Sequence, residues 1–533
     1  MPLPRLSIAP PRTFSGLLPS TWPRDCTTLV LVLCLGQVIL WGTACWLTYS
    51  APEMDSAEQF VWAFSLESGY WKHPPLPTWI MHALMGVFGT SVALPFIATQ
   101  ACVVTALAIT WRLGCEFMSP RRSLIAMALA SLVTYHNIGG DSFNHNTVLL
   151  PFQAATLLWF HRATQRRQWH QWALAGLFAG LSTMVKYVAV MPLAGLLLYF
   201  VLDRRLHTRR GLAGLLLSCA VCALVVVPNV LWLRDTNFLP FRYAREVTRE
   251  LPGLAATLQG LADFGFTQLL RVLPLLLGMA WMLWPNKATS VPAGIDEAPA
   301  PDVERADQAF IWINALAPLV MTVGVGLFSQ VALQGRWGAN AFLLAGLLPM
   351  LVMRRPDSPT LLRRCLQAAI VIQIVLCLGQ TLGKTVLADR FERRTRANFP
   401  GAVLAHEAHR TWADHTGVPL RLVVSDIWLG GNVIAHTPQR LAVLIDGRHF
   451  KSPWVPLEAV ERCGALILDD TTDDRVGHAH PHPQLEALMA RADNSGVWTL
   501  PWAHPATQAD APSRGTVRWG VILPREPQRC ELR

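Results

Sequence analysis

The stretch Thr28–Thr48, TLVLVLCLGQVILWGTACWLT, contains no charged residue and is the strongest indication of the fold. As a helix, it is long enough to cross a hydrocarbon core of roughly 30 Å, and a helix satisfies its own backbone hydrogen bonds in lipid. The whole chain has 533 residues, of which 52% are hydrophobic and 15% are charged. Soluble domains carry about 25% charged residues. The sequence therefore predicts an α-helical polytopic membrane protein.

Further apolar stretches of similar character follow the first. The predicted spans after Thr28–Thr48 are Val92–Leu113, Ser123–Ile138, Thr147–Phe160, Trp172–Val185, Val188–Val201, Gly211–Leu233, Phe264–Trp284, Phe310–Gln330, Ala339–Met353 and Cys365–Leu382. This makes eleven predicted helices, and shallow spans leave the total at about 11 to 13.

Arginine clusters set the predicted orientation, because short loops rich in Lys and Arg stay in the cytoplasm. All of them share one side if Thr78–Phe88 is an interfacial helix. They are Arg5/Arg12/Arg24, Arg121/Arg122, Arg162/Arg166/Arg167, Arg204/Arg205/Arg209/Arg210 and Arg354/Arg355/Arg363/Arg364. The N-terminus is then cytoplasmic, and the net charge of +10 reflects membrane anchoring rather than nucleic-acid binding.

The composition divides the chain into four parts. Residues 1–27 form a basic cytoplasmic leader, and residues 28–383 form a transmembrane domain whose first outer loop is 49–91. Residues 286–307 lie in a stretch rich in Ala, Pro and acidic residues, which predicts a cytoplasmic linker. Residues 384–533 predict a small α/β domain outside the cytoplasm. Its expected strands are Leu420–Val424, Leu441–Ile445, Ala465–Leu468 and Trp519–Leu523.

Three features of the outer domain leave alternatives open. Cys463 and Cys530 are its two cysteines, and an oxidising compartment permits their pairing without establishing it. Asp426–Asn432 follows a predicted strand, but its two glycines are a weak signal for a binding loop. His478–His482 brings three imidazoles together, for which a polar linker is a simpler explanation than a metal site.

The first outer loop carries the most informative chemistry, in the stretch Ala51–Leu76. Asp55 and Glu58 are three residues apart, so on a helix both carboxylates share a face. The same predicted helix presents Phe60, Trp62, Phe64 and Leu66 to the membrane surface. The alternative is that the two carboxylates only solvate a short interfacial helix. Lys72 and His73 precede Pro74-Pro75, which stiffens the backbone and directs the two side chains.

Other outer loops contribute further polar residues. Asn144, His145 and Asn146 open a helix, where they act either as caps or as a pocket wall. Lys186 sits at a tight turn between helices, where it either binds an anion or extends to the interface. Arg242 and Tyr243 occupy the next outer loop, and a later one carries Arg336; arginine suits phosphate recognition.

Carboxylates and cations on one face suit transfer at a sugar's anomeric carbon. A carboxylate deprotonates the acceptor, and cations stabilise a departing phosphate. A transporter or lipid flippase is the alternative, although no internal repeat is visible. A membrane scaffold whose outer domain binds partners is a third reading.

These motifs resemble the GT-C glycosyltransferases of the family 39 group, which includes protein O-mannosyltransferases and the aminoarabinose transferase of lipid A. The resemblance rests on Asp55-Ser-Ala, Gly69-Tyr70 and Lys72-His-Pro-Pro-Leu76, followed in order by matching segments. These segments are Asn144–Pro151, Gly176–Tyr187, Pro228–Trp232 to Tyr243, and Arg336-Trp337.

The resemblance implies an inverting transferase in the bacterial inner membrane that uses a polyprenyl-phosphate sugar. The acceptor is a glycan, lipid or protein outside the cytoplasm. The resemblance assigns the catalytic role to Asp55 with Glu58, and assigns other residues to the donor phosphate or to the sugar and acceptor pocket. The phosphate residues are Lys72, His73, Lys186, Arg242, Tyr243 and Arg336, and the pocket residues are Asn144, His145 and Asn146.

Two positions depart from the family pattern. Ser56 follows Asp55 where relatives commonly have Glu, so Glu58 is the available acidic neighbour. Asn144-His-Asn146 stands where many relatives carry Asp. We therefore assign no metal ligand, and the resemblance leaves a divalent cation open as a cofactor.

Overall fold

The computed structural model describes residues 24–284, 305–353, 357–472, 483–502 and 513–532. Most of the predicted leader and most of the predicted linker, as well as His478–His482, lie outside the described residues. The helices up to the linker are α1 (Arg24–Thr48), α2 (Met54–Trp62), α3 (Leu76–Phe88), α4 (Ala93–Gly114), α5 (Pro120–Ala130), α6 (His145–Arg166), α7 (Trp169–Val185), α8 (Val190–Leu202), α9 (Arg209–Asp235), α10 (Leu239–Val247) and α11 (Gly253–Leu283). The later helices are α12 (Arg305–Ser329), α13 (Leu347–Val352), α14 (Pro359–Lys384), α15 (Val386–Arg390), α16 (Gly401–His415), α17 (Ile427–Ala435), α18 (Ala459–Cys463) and α19 (Pro483–Met489).

Within the described residues, six helices are long and apolar enough to cross a membrane. They are Cys26–Thr48, Ala93–Gly114, Arg209–Asp235, Gly253–Leu283, Arg305–Ser329 and Pro359–Arg390. The predicted multi-pass helical architecture is confirmed, while the predicted count of eleven stays a prediction. The other five predicted spans coincide with helices that are shorter, less apolar or interrupted.

Two predicted spans are wrong as continuous helices. Helix α5 ends at Ala130, and the chain continues in two short 3-10 turns because Asn137 donates its side-chain amide to the carbonyl of Ser131. The predicted span Ala339–Met353 is divided into a 3-10 helix, Gly335–Phe342, and the short α13. Between them Gly346 lies so close to the backbone of Ala126 that a Cβ would be 1.9 Å from its carbonyl oxygen.

The predicted first outer loop, residues 49–91, folds into the two helices α2 and α3. Helix α3 covers the predicted interfacial segment Thr78–Phe88. Helix α2 was expected to present Phe60 and Trp62 to the membrane surface, and this is wrong because both side chains are buried. The C-terminal domain covers this helix instead.

The C-terminal domain contains a five-stranded mixed sheet with the order β2-β1-β3-β5-β4. The strands are β1 (Leu422–Ser425), β2 (Ala442–Ile445), β3 (Ala465–Asp470), β4 (Asn494–Trp502) and β5 (Ser513–Ile522). Strands β2, β1 and β3 are parallel, and β5 pairs antiparallel with both β3 and β4. The four predicted strands are present, and β4 is the strand that the sequence analysis missed.

Helix α17 joins this domain to the first outer loop. A Cβ on Gly431 would lie 2.7 Å from both the Cβ and the carbonyl oxygen of Ala57 in α2. The side chain of Asp426 caps α17 by accepting a hydrogen bond from the backbone of Leu429. The glycines in Asp426–Asn432 therefore serve close helix packing, because the whole of α17 is buried.

Cys463 and Cys530 form a disulfide bond, with their Cα atoms 4.8 Å apart. The bond attaches the end of α18 to the segment that follows β5. The pairing that the sequence left open is thus present.

Candidate active site

Asp55 lies in the first turn of α2 and faces Arg336 of the later outer loop. Their nearest charged atoms, Oδ2 and Nη1, are 3.6 Å apart, and the Asp55 side chain is 34% exposed. The two residues are far apart in sequence, so only the fold brings them together. The carboxylate therefore stays accessible to a second molecule while it sits beside a cation.

Glu58 has a different environment one turn later on the same helix. It is buried, and one carboxylate oxygen accepts a hydrogen bond of 2.5 Å from Nζ of Lys72. Burial raises the pKa of Glu58, although Lys72 opposes the shift. Burial lowers the pKa of Lys72, but Glu58 outweighs this effect and leaves the pKa above its ordinary value. Glu58 and Lys72 therefore form an ion pair.

The Gly-Tyr and Lys-His-Pro-Pro motifs form one tight turn. The backbones of Tyr70 and His73 exchange two hydrogen bonds of 3.0 and 3.1 Å. The ring of Tyr70 stacks on Trp62, with centroids 4.9 Å apart. Gly69 is required because a Cβ there would lie 2.3 Å from the ring of Trp232 in α9. This turn positions Lys72 against α2.

Lys186 approaches the same region from the turn between α7 and α8. It donates a 2.5 Å hydrogen bond to the side-chain oxygen of Asn146. Burial and, to a smaller extent, the nearby Arg336 lower the pKa of Lys186 to about 8, while Asp55 opposes the shift. Lys186, Arg336 and Asp55 thus share one electrostatic environment. The half-buried Lys186 thus donates to Asn146, which favours the anion-binding alternative over extension to the interface.

The start of α6 serves as both cap and pocket wall, which the sequence had left as alternatives. The side chain of Asn144 accepts hydrogen bonds from the backbones of Asn146 and Thr147. The buried His145 ring packs against His73, with centroids 4.0 Å apart. Burial, followed by the neighbouring His145 and Lys186, lowers the pKa of His73 well below its ordinary value. A neutral His73 contributes no positive charge to a phosphate site.

Tyr243 of α10 joins the site from the side. Its ring packs edge-on against Trp71 at 4.8 Å, and Nζ of Lys72 lies 5.5 Å from its centroid. Lys451 of the C-terminal domain lies 4.3 Å from the Trp71 ring and was not predicted. Arg242 is exposed on α10 and, in the described part of the chain, forms no ion pair. The structure does not bring Arg242 together with the other site residues.

Ser56 has a structural role where relatives commonly carry Glu. It is fully buried, and its hydroxyl oxygen accepts a 2.9 Å hydrogen bond from the backbone of Phe143. This bond attaches α2 to the loop that precedes α6. Ser56 therefore helps to hold Asp55 close to the Asn144–Asn146 wall.

Two open cavities meet at these residues. One, with about 640 Å³ of empty space, has mainly apolar walls and ends at a lysine; its lining is Lys186, Val188, Met191, Thr322, Val325 and Trp337. The other, with about 480 Å³ of empty space, is the more polar of the two and is called the polar cavity; its lining is Tyr135, Gly139, Asn144, Asn146, Thr147, Leu150, Arg271, Arg336 and Ala339. Lys186 and Arg336 belong to different cavities, and Asn146 connects them because it accepts the hydrogen bond from Lys186.

The sequence analysis also missed a half-buried ion cluster next to the start of α2. Nζ of Lys384 lies 3.0 Å from Asp141 and 3.6 Å from Glu53, and it also contacts the hydroxyl of Tyr49. Glu53 is the N-cap residue of α2. The cluster therefore connects the end of α14 to the start of the helix that carries Asp55. Polar residues at the ends of predicted spans were the available signal.

Arg271 is the other residue that the sequence analysis missed. It lies inside the predicted apolar span Phe264–Trp284, where a charged residue is itself a sign of function. In the chain as described, no group of three or more His, Cys, Asp or Glu side chains converges in a way that suits a metal ion.

The chain is similar to known proteins in both sequence and fold. Residues 72–232 match the family model described as dolichyl-phosphate-mannose-protein mannosyltransferase. The chain is 25% identical to the lipopolysaccharide core galacturonosyltransferase RgtA of Rhizobium johnstonii over 435 residues, which cover 78% of this chain and 81% of RgtA. It is 24% identical to the lipid A galacturonosyltransferase RgtD of the same organism, covering 42% of this chain and 46% of RgtD.

The fold matches that of ArnT from Cupriavidus metallidurans, solved with bound undecaprenyl phosphate. The TM-score is 0.54 at 11% identity, over 93% of this chain and 98% of ArnT. The apo form of ArnT gives a TM-score of 0.55 at 12% identity. These findings confirm the predicted resemblance to the family 39 group and the predicted enzyme class: the chain is a glycosyltransferase with the GT-C fold.

Proposed function

We propose that the enzyme transfers a sugar from a polyprenyl phosphate to a lipid or glycan acceptor on the outer face of the cytoplasmic membrane, with inversion at the anomeric carbon. The observation that carries the proposal is the position of Asp55. Its carboxylate is partly exposed, lies 3.6 Å from Arg336, and shares an electrostatic environment with Lys186. A base for the acceptor and cations for the leaving group thus stand side by side.

The apolar cavity suits the carrier lipid. Its walls are Val188, Met191, Val325 and Trp337, which fit an isoprenoid chain, and Lys186 at its end fits the phosphate. A lysine so removed from water is costly unless it meets an anion. Undecaprenyl phosphate bound to ArnT, which has the same fold, supports this class of donor.

The reaction follows from this arrangement. Asp55 accepts the proton of an acceptor hydroxyl as the oxygen attacks the anomeric carbon of the sugar. The bond between that carbon and the phosphate oxygen breaks, and its electron pair leaves with the polyprenyl phosphate. Lys186 and Arg336 stabilise the phosphate charge. Lys72 and Tyr243 lie at the side of the proposed phosphate position, and Glu58 holds Lys72 in place.

Three features support the orientation and the substrates. The disulfide between Cys463 and Cys530 suits an oxidising compartment, which favours a C-terminal domain outside the cytoplasm and a cytoplasmic N-terminus. The relatives RgtA and RgtD are named for the lipopolysaccharide core and for lipid A, which favours an envelope glycolipid as acceptor. Their galacturonosyl names make a hexuronic sugar the first donor to test.

Sugar release and transfer by the purified protein test the proposal, using polyprenyl-phosphate sugars and lipid A or core glycolipid as acceptor. The Asp55→Asn variant is expected to lose about 10²- to 10⁴-fold in rate, the range for a positioned general base. Asp414→Asn removes an exposed carboxylate of the outer domain and serves as a matched control. Normal turnover by Asp55→Asn would remove Asp55 from this role. Translocation of the carrier without sugar release would favour a flippase.

A further inference from the structure

Arg271 of α11 is a cation that takes no part in the proposed reaction. Its guanidinium lies 3.4 Å from the hydroxyl of Thr134 and 5.2 Å from the ring centroid of Tyr135. No carboxylate of the described residues pairs with it. An arginine within an apolar helix is costly, and the usual compensation is an acidic partner or an anionic ligand.

Arg271 lines the polar cavity together with Arg336. The walls between them carry the amides of Asn144 and Asn146 and the backbone and hydroxyl of Thr147. The lining carries two guanidinium groups and no carboxylate, within the described part of the chain. Amides and hydroxyls suit the hydroxyls of a sugar, and a guanidinium offers a fork of two donors to a planar carboxylate.

Arg271 lies in a different cavity from the one proposed for the carrier lipid. Arg336 stands at the entrance of the polar cavity beside Asp55, whereas Lys186 and the apolar walls belong to the other cavity. Arg271 lies over the ring of Tyr135, and the Tyr135 hydroxyl is within hydrogen-bond distance of both the Gln268 side chain and the backbone carbonyl of Gly335. These bonds hold Arg271 on the same wall as the 3-10 helix that carries Arg336.

We propose that the polar cavity binds the donor sugar and that Arg271 recognises a carboxylate on that sugar. The inference rests on the proposed function and assigns the donor to the uronic acids. Arg271 is then a specificity residue: it contacts the sugar substituent and takes no part in the proton transfer at Asp55.

The test compares polyprenyl-phosphate galacturonic acid with polyprenyl-phosphate galactose, which lacks only the carboxylate charge and its second oxygen. The wild type should prefer the uronic donor in kcat/KM. Arg271→Gln should lower kcat/KM for the uronic donor by about 10- to 100-fold, the range for a lost charged hydrogen bond. It should leave transfer of galactose nearly unchanged, which also shows that the variant folds. Arg271→Lys should keep part of the preference, because the charge remains but the fork is lost.

Arg363→Gln, which removes an exposed arginine of α14 outside the site, is the matched control and should behave as the wild type. Equal losses on both donors in Arg271→Gln, or weaker binding of sugar-free polyprenyl phosphate, would assign Arg271 to the carrier phosphate and overturn the inference. Equal wild-type use of the two donors would overturn it too, while leaving the proposed transfer intact. A wild type inactive toward every donor would instead refute the proposed function, and the inference with it.

Discussion

Lys72 donates a 2.5 Å hydrogen bond to Glu58, and this pair holds the Lys-His-Pro-Pro turn against the helix that carries Asp55. The pair is largely withdrawn from solvent, with side-chain exposures of 19% for Lys72 and 6% for Glu58. Because of this pair, the two carboxylates of α2 have different roles. Glu58 positions a cation, and Asp55 remains open to a substrate.

Breaking this ion pair is expected to destabilise the protein. Glu58→Gln leaves a buried ammonium without its counter-charge, and we expect a loss of about 3–5 kcal/mol in the free energy of unfolding. The double variant Glu58→Gln/Lys72→Met should regain part of this loss because it removes the orphaned charge. Thermal unfolding in detergent measures both. Glu458→Gln, in the exposed pair with Arg462, should cost at most about 1 kcal/mol. If the losses in unfolding free energy of Glu58→Gln and of Lys72→Met add up to the loss of the double variant, the two residues are not coupled.

The pH dependence of kcat/KM is expected to follow the protonation state of Lys186. Its pKa is about 8 because of burial and the nearby Arg336, so the ammonium loses its proton as the pH rises through that value. If the charged form binds the donor phosphate, kcat/KM falls above about pH 8, since this parameter follows the free enzyme. Lys186→Arg should move the fall to higher pH because arginine stays protonated. Superimposable profiles of the two proteins would exclude Lys186 as the titrating group.

The contact between the C-terminal domain and α2 should tolerate no added methyl group. Gly431→Ala would place a Cβ 2.7 Å from Ala57, so we expect a loss of about 1–3 kcal/mol in stability and slower transfer as α2 shifts. Unfolding temperature and transfer rate together measure this. Gly417→Ala is the matched control, because a Cβ there meets no atom within 4 Å. If the two variants behave alike, the packing at Gly431 does not matter to the site.

The disulfide gives a test of orientation. In spheroplasts, a membrane-impermeant maleimide should label Cys463 and Cys530 only after reduction, because the proposed topology exposes their domain to the outside. Cys463→Ser/Cys530→Ser should show no such reduction-dependent labelling and lose about 2–4 kcal/mol of stability. Labelling that requires permeabilised membranes would place the C-terminal domain in the cytoplasm.

Much of the architecture could be predicted from local pattern. Apolar runs such as Thr28–Thr48 predict helices because a chain in lipid must satisfy its own backbone hydrogen bonds. The interruption near Ala130 could not be read from hydropathy, because it depends on Asn137 turning back to the carbonyl of Ser131. The membrane placement of α2 failed for a similar reason: its apolar side chains are covered by α17, which lies more than 360 residues later in the chain.

Length, hydropathy and ordered short motifs are local properties of the chain, so the sequence alone was enough to predict a multi-spanning GT-C enzyme with a C-terminal α/β domain. Tertiary contacts pair Glu58 with Lys72 and bring Asp55 to Arg336. They also leave Arg242 apart from the site and place Arg271 in the lining of the polar cavity. These relationships depend on distances between segments that are remote in sequence. Helix packing sets those distances, and no local pattern encodes them.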